Sequence, residues 1–228
     1  MRRFAIGLLA SSLLTLFTSA QASSLGARME RAVAAPSPEG TSRTRRLSSD
    51  DIADGLKSML TDGASLAVIK LGSRNGFGEV GSSHVSSMTG GDRAGVDDRH
   101  LIRAAESTAS QAGPILREAI NALYFPDPQA LLDGGPTAAT QFLRDHAAEH
   151  IRTGLRPAAS RSYTATWKPA AGAIAATIPR PSSRIVDHLA HTTVEALLHV
   201  IGDQEMLIRR SPAARGTPQL VRLFGRTA

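Results

Sequence analysis

Apolar residues recur every three or four positions along most of this chain, which is the spacing of one face of an α-helix. The pattern predicts a first helix from Leu47 to Gly72, with Ser48 or Ser49 as its N-terminal cap. It predicts a long helix after Ser182 or Ser183, followed by a short tail helix over 212–225. No segment shows the alternation of apolar and polar residues that is typical of strands. We therefore expect an all-α, bundle-like single domain.

Between these helices the pattern is interrupted by proline and glycine. A helix is predicted over 98–124, kinked or split at Pro114, because proline removes a backbone donor and clashes with the preceding turn. A short helical turn over 127–132 and a helix over 137–155 follow, and a separate, weaker helix is predicted after Pro157. The glycine-rich segment 75–98 is predicted to be a loop, and 168–181 a connection.

The first 22 residues have the layout of a secretory signal peptide. Arg2 and Arg3 precede an apolar stretch, and Ala20-Gln21-Ala22 forms an A-x-A cleavage site. We expect export to the periplasm or the medium, a flexible leader over 23–46 and the helical domain over 47–228. No later stretch reaches the 20 or so apolar residues of a transmembrane helix, so we expect no membrane span.

The amino-acid composition excludes several kinds of site and partner. The absence of cysteine excludes disulfides, thiolate metal sites and catalytic thiols. The chain has 26 Lys and Arg against 20 Asp and Glu, but the arginines are scattered and only 4% of residues are aromatic. Nucleic-acid binding calls for clustered basic residues with aromatic platforms, so we expect no nucleic-acid partner.

One short motif points to metal chemistry. His146, Glu149 and His150 form an H-x-x-E-H pattern, in which two histidines one turn apart bind zinc and the glutamate acts as the base. One such match arises easily in a chain with seven histidines, and the proteases that use it are much larger. We therefore favour solvated or half-buried helix histidines over a zinc site.

A second polar cluster is predicted on one face of the long helix. At about 100° per residue, its four members fall within roughly 80° of one another. Imidazoles and a carboxylate suit zinc or copper, but ligands three turns apart cannot all reach one ion. We favour a polar outer face, and we assign no catalytic residue, metal or cofactor. The four residues are His188, His191, Glu195 and His199.

Three separated segments carry a family resemblance. They are 47–57 (LSSDDIADGLK), 132–142 (LDGGPTAATQF) and the run from Glu205 to Gly225. In this order and spacing the chain resembles the bacterial family called domain of unknown function 4197. The resemblance implies an exported, mostly helical protein of Gram-negative bacteria, and it supplies no catalytic residues.

The motif residues also have a physical interpretation. Glu205 and Arg209 are one helical turn apart and Arg215 follows the Ser211-Pro212 restart, so a carboxylate between two guanidiniums is predicted to hold the tail helix on the long helix. Thr137 is predicted to cap the helix that follows it. We expect these residues to stabilise the fold rather than to bind a ligand.

The function expected from these observations is binding without catalysis. We expect a periplasmic interaction module of the cell envelope that contacts an envelope protein or a lipid, with a homodimer as an open alternative. Two other functions stay open: a metal-dependent hydrolase that uses the H-x-x-E-H helix, and a carrier of a small apolar ligand.

Overall fold

The folded part of the chain is built from α-helices. The computed structural model describes residues 47–80, 98–167 and 181–225, and no strand occurs within these ranges. The all-α prediction is therefore confirmed, whereas the predicted signal peptide, the leader and residues 168–180 of the predicted 168–181 connection lie outside the described residues. The helices are α1 (Ser49–Gly72), α2 (Phe77–Val80), α3 (Asp98–Ala109), α4 (Gly113–Ala122), α5 (Pro128–Leu132), α6 (Ala138–Thr166), α7 (Ser183–Arg210) and α8 (Pro218–Phe224).

Side-chain caps fix the starts of α1 and α7. Ser48 accepts a hydrogen bond from the Asp51 amide, and the Asp51 carboxylate accepts one from the Ser48 amide, so the two form a capping box. Ser182 caps α7 by accepting a hydrogen bond from the Ile185 amide. Both starts agree with the sequence prediction.

The two prolines that interrupt the pattern act differently. The predicted split at Pro114 is confirmed, because α3 ends at Ala109 and Pro114 lies in the first turn of α4. The predicted break at Pro157 is wrong, since α6 continues through it to Thr166. Pro157 is exposed whereas Leu155 is fully buried, so the ring faces solvent while tertiary packing holds the helix together.

Part of the glycine-rich segment is also helical. Residues 77–80 form α2, so the prediction of a loop from 75 onward is wrong there. Phe77 is almost fully buried, and its burial explains why this short stretch is ordered despite the surrounding glycines. The segment 81–97 lies outside the described residues.

Helix α7 lies at the centre of the fold, between α1 on one side and α6 on the other. Helix α3 packs against α6 and α7, and α4 packs against α1 and α6. A Cβ added at Gly63 of α1 would lie 3.3 Å from Ile201 Cγ2 of α7, so these two helices approach closely. Among the described residues, no helix is long and apolar enough to cross a bilayer.

Candidate functional site

The most deeply buried charged side chain in the motif segments is Glu205, of which only 1% is exposed. Its Oε1 accepts a hydrogen bond from the Ala139 amide at 3.0 Å. Its Oε2 accepts from the Thr140 amide at 2.7 Å and from the Thr140 hydroxyl at 2.6 Å. Glu205 on α7 therefore caps the N-terminus of α6, where a negative charge also interacts favourably with the helix dipole.

Thr137 does not have the capping role predicted for it. It occupies the N-cap position of α6, but its side chain makes no capping hydrogen bond. Its methyl carbon instead lies 3.5 Å from where a Cβ would stand on Gly202. The prediction was wrong because the cap comes from α7, which is distant in sequence.

Arg209 joins the carboxylate to a third helix. Its Nε donates to Glu205 Oε1 at 2.9 Å. Its Nη1 donates to the Leu132 carbonyl at 2.7 Å and its Nη2 to the Leu131 carbonyl at 2.9 Å. These carbonyls are at the C-terminus of α5, where orphan acceptors and a cation complement each other. The pair therefore connects the ends of α5, α6 and α7.

Arg215 holds the tail helix by a different contact from the predicted one. Its guanidinium donates to the Ile208 carbonyl at 3.1 Å and to the Arg209 carbonyl at 3.2 Å, rather than to Glu205. It also lies 5.9 Å from the centre of the Phe224 ring of α8. The predicted carboxylate between two guanidiniums is therefore wrong for Arg215. Pro212 begins the 3₁₀ turn Pro212–Ala214 that leads into this tail.

The H-x-x-E-H residues lie on the outer face of α6, and all three are exposed. His146 Nδ1 is 2.9 Å from the Phe142 carbonyl oxygen, and its ring stacks on the Phe142 ring. Glu149 accepts two hydrogen bonds from Arg152, which lower the pKa of its carboxyl group. A carboxylate with a lowered pKa is a weaker base, and in the described part of the chain no three metal-binding side chains converge.

The four polar residues of α7 are divided among different surroundings. Glu195 pairs with Arg144 of α6. His199 Nε2 lies 3.6 Å from Asp203. His188 and His191 line an open cavity of about 490 Å³ between α6 and α7. Burial, followed by the charge of His191, lowers the pKa of His188.

A groove between α1 and α4 is the site that the sequence analysis missed. Its volume is about 210 Å³, and we call it the α1/α4 groove. At its rim Ile69 is 71% exposed, and Leu66, three residues before it on α1, is 41% exposed. Both are large apolar residues that fall outside the apolar stripe of α1. Their position away from that stripe was the signal available in the sequence. The groove is lined by Thr61, Ala64, Ser65, Val68, Ile69, Gly113 and Arg117.

Comparison with known proteins gives a family and nothing further. A family model described as Protein of unknown function (DUF4197) matches residues 46–225. No curated protein and no solved structure matches the chain. The match spans all of the described helices, including the Glu205 and Arg209 junction, and the chain therefore belongs to the DUF4197 family.

Proposed function

We propose that this protein is an exported, non-enzymatic binding module of the cell envelope, which holds a segment of a partner protein in the α1/α4 groove. The observation that carries the proposal is the exposure of Ile69 beside the groove. Large apolar side chains exposed together at the edge of a concave surface are typical of interaction sites.

The shape of the groove suits a protein segment. Ala64 and Ser65 have small side chains and Gly113 has none, which allows close approach, and Val68 and Ile69 contribute apolar surface. Lys57 Nζ donates to the Asn121 carbonyl at 2.8 Å and ties α1 to the end of α4. This bond holds α4 against α1 beside the groove, and we propose an apolar helix face of a partner as its occupant.

A positive charge beside the groove favours a partner segment that carries an acidic residue. Arg117 lies at the α4 side of the groove and is exposed. A guanidinium beside an apolar surface favours a carboxylate at the edge of the bound segment, as in many interfaces with an apolar centre and a polar rim. We expect a partner segment that combines apolar residues with an acidic residue.

Export rests on the sequence. The basic start, the apolar stretch and the A-x-A site of residues 1–22 together support a signal peptide. The family resemblance implies an exported protein as well. A chain that acts outside the cytoplasm meets envelope proteins as partners.

The hydrolase and carrier alternatives can be tested in one experiment. The chain from Ser23 onward, purified without a histidine tag, is examined by native mass spectrometry at low collision energy. We expect no stoichiometric zinc and no copurified lipid. Bound zinc that is lost in His146→Ala would support the hydrolase, and retained lipid would support the carrier.

The groove itself is tested by photocrosslinking in cells. A photoreactive residue replaces Ile69, and the matched control replaces Leu207 of α7, whose side chain is 51% exposed. We expect a discrete crosslinked protein from position 69 that is absent from position 207. Equal crosslinking at both positions would contradict the proposal, and a crosslink between two copies of the chain would replace the partner protein by a homodimer.

A further inference from the structure

Two cations beside the α1/α4 groove have no carboxylate partner. Arg117 lines the groove, and it makes no hydrogen bond or ion pair with any residue that the structure describes. Lys57 Nζ donates to the Asn121 carbonyl at 2.8 Å, and a carbonyl is a neutral acceptor that leaves the ammonium charge uncompensated. Both charges are therefore available to attract an acidic group of a partner.

The two cations follow each other along the surface because α1 and α4 are antiparallel there. Asn121, near the end of α4, contacts Lys57 in the first half of α1. Gly113, at the start of α4, lines the groove together with Val68 in the second half of α1. Arg117 lies four residues before Asn121, so it is one helical turn further along the groove. Lys57 and Arg117 are therefore at levels about 6 Å apart along the helix axes.

The acidic residues that are nearest in sequence belong to other surfaces. Asp54, three residues before Lys57, lines a separate cavity between α1 and α8. Asp62 and Glu118 are exposed, and neither of them lines the groove. The groove side of α1 and α4 therefore presents Lys57 and Arg117 without a compensating carboxylate among the described residues.

The other end of the groove is apolar. Val68 and Ile69 of α1 line it, and Gly113 of α4 leaves space because it has no side chain. Four residues on from each partner of the bond between α1 and α4, the chain reaches Thr61 and Arg117, which both line the groove. Ile69 lies eight residues beyond Thr61, which is about 12 Å along α1. The apolar contact is therefore about two turns from the guanidinium.

We infer that the segment bound in the α1/α4 groove is an acidic amphipathic helix, with two carboxylates one turn apart and an apolar side chain about two turns beyond them. The inference rests on the proposed function, because it names the occupant of the same groove. Carboxylates four residues apart lie on one face of a helix and can form charge-assisted hydrogen bonds with Lys57 and Arg117. An apolar residue about eight positions away on that face can cover Ile69. The bound helix then needs about 12 residues or more.

The first test is photocrosslinking in cells with a photoreactive residue in place of Ile69, followed by mass spectrometry of the crosslinked peptide. We expect the captured protein segment to carry the two carboxylates and the apolar residue at this spacing. A discrete crosslink to a protein segment without paired carboxylates would overturn the inference and leave the proposed function standing. A crosslink only to lipid or to a second copy of the chain, or no discrete crosslink, would overturn both.

Charge reversal connects the carboxylates to the two cations. Arg117→Glu and Lys57→Glu are each expected to lower the crosslinking yield from position 69 about tenfold, because like charges then face each other. Arg210→Glu, at an exposed position of α7, makes the same change in net charge and should leave the yield unchanged. Lysine in place of one carboxylate of the captured segment should restore the yield with Arg117→Glu.

Thermal unfolding checks that each variant is folded. Arg117→Glu decides the matter if Lys57→Glu unfolds, because Arg117 has no bond to lose within the described residues. Equal yields from wild type and folded Arg117→Glu would overturn the inference, whereas the crosslink itself would still support the groove as the binding site.

A synthetic peptide with the captured sequence gives the affinity. It is labelled with fluorescein and titrated by anisotropy with the chain from Ser23 onward. Glutamine in place of both carboxylates is expected to weaken binding about tenfold, as the loss of two partly exposed ion pairs does. The affinity of the unchanged peptide should also decrease as the salt concentration rises. Binding that depends neither on the carboxylates nor on salt would overturn the inference.

Discussion

At the scale of single residues, the junction at Glu205 and Arg209 shows what sequence spacing can and cannot reveal. The four-residue separation predicted that the two side chains would pair on one helix, and they do. It did not predict that the carboxylate binds the amides of Ala139 and Thr140, more than 60 residues earlier. Local periodicity contains no information about which helix end will be placed beside a buried charge.

Glu205→Ala should destabilise the fold strongly. The change removes the cap of α6 and leaves the guanidinium of Arg209 without its carboxylate, and breaking a buried pair in this way costs about 3 kcal/mol or more. Urea unfolding of the chain from Ser23 onward measures the loss. Glu149→Ala, at an exposed pair, is the control and should change stability little. Unchanged stability of Glu205→Ala would show that the junction is not architectural.

His188 makes stability depend on pH. Its pKa in the folded chain is lowered from 6.5 by burial, so the unfolded chain binds the proton more tightly. The free energy of unfolding is therefore highest above pH 6.5, and it decreases as the pH falls from there through the lowered pKa of the folded chain. Unfolding in phosphate-free buffer at about pH 7.5 and 5.5 should show this decrease.

The matched variants for this pH effect are His188→Gln and His150→Gln. The first should make the decrease in stability smaller, and the second should leave it as in the wild type. An identical decrease in wild type and His188→Gln would show that another group is responsible.

At the scale of helices, the sequence predicted most starts and ends correctly because caps and period are local properties. Ser48 and Ser182 identified their helices through short-range hydrogen bonds. Pro114 and Pro157 could not be distinguished in the same way. Pro114 lies in a first turn, where no donor is needed, whereas Pro157 is tolerated in mid-helix because Leu155, Ala158 and Ala159 of the same helix are buried.

Pro157→Ala should stabilise the protein. Alanine restores the backbone donor to the interior of α6, and even after allowance for the greater freedom of the unfolded chain we expect a gain of about 1 kcal/mol. Pro218→Ala, in the first turn of α8, is the control and should give no gain. Urea unfolding measures both, and a loss of stability in Pro157→Ala would indicate that the packing of α6 requires the proline.

Gly63→Leu should separate α1 from α7. A Cβ at this position already lies 3.3 Å from Ile201 Cγ2 and 3.5 Å from its Cα, so a larger side chain has no space, and overpacking costs about 1–3 kcal/mol. Gly135→Leu is the control, because nothing lies within 4 Å of a Cβ there. Equal melting temperatures for the two variants would contradict the close approach of these helices.

At the scale of the whole molecule, the fold class was predictable and the concave surfaces were not. The α1/α4 groove combines Ile69 of α1 with Arg117 of α4. The cavity between α6 and α7 combines Arg152 with His188. Each pair comes from helices that only the tertiary fold brings together. Helical spacing places His188 and His191 on one face of α7 together with Glu195 and His199, but periodicity along one helix says nothing about the opposing arginine of α6.

The most direct test of the binding proposal is the size of the native complex in gently solubilised envelopes. Wild type, Ile69→Glu and the control Leu207→Glu are compared by native electrophoresis, after thermal unfolding has confirmed that all three are folded. We expect wild type and Leu207→Glu in a complex larger than the chain alone, and Ile69→Glu released from it. If all three migrate alike, the α1/α4 groove is not where this protein binds its partner.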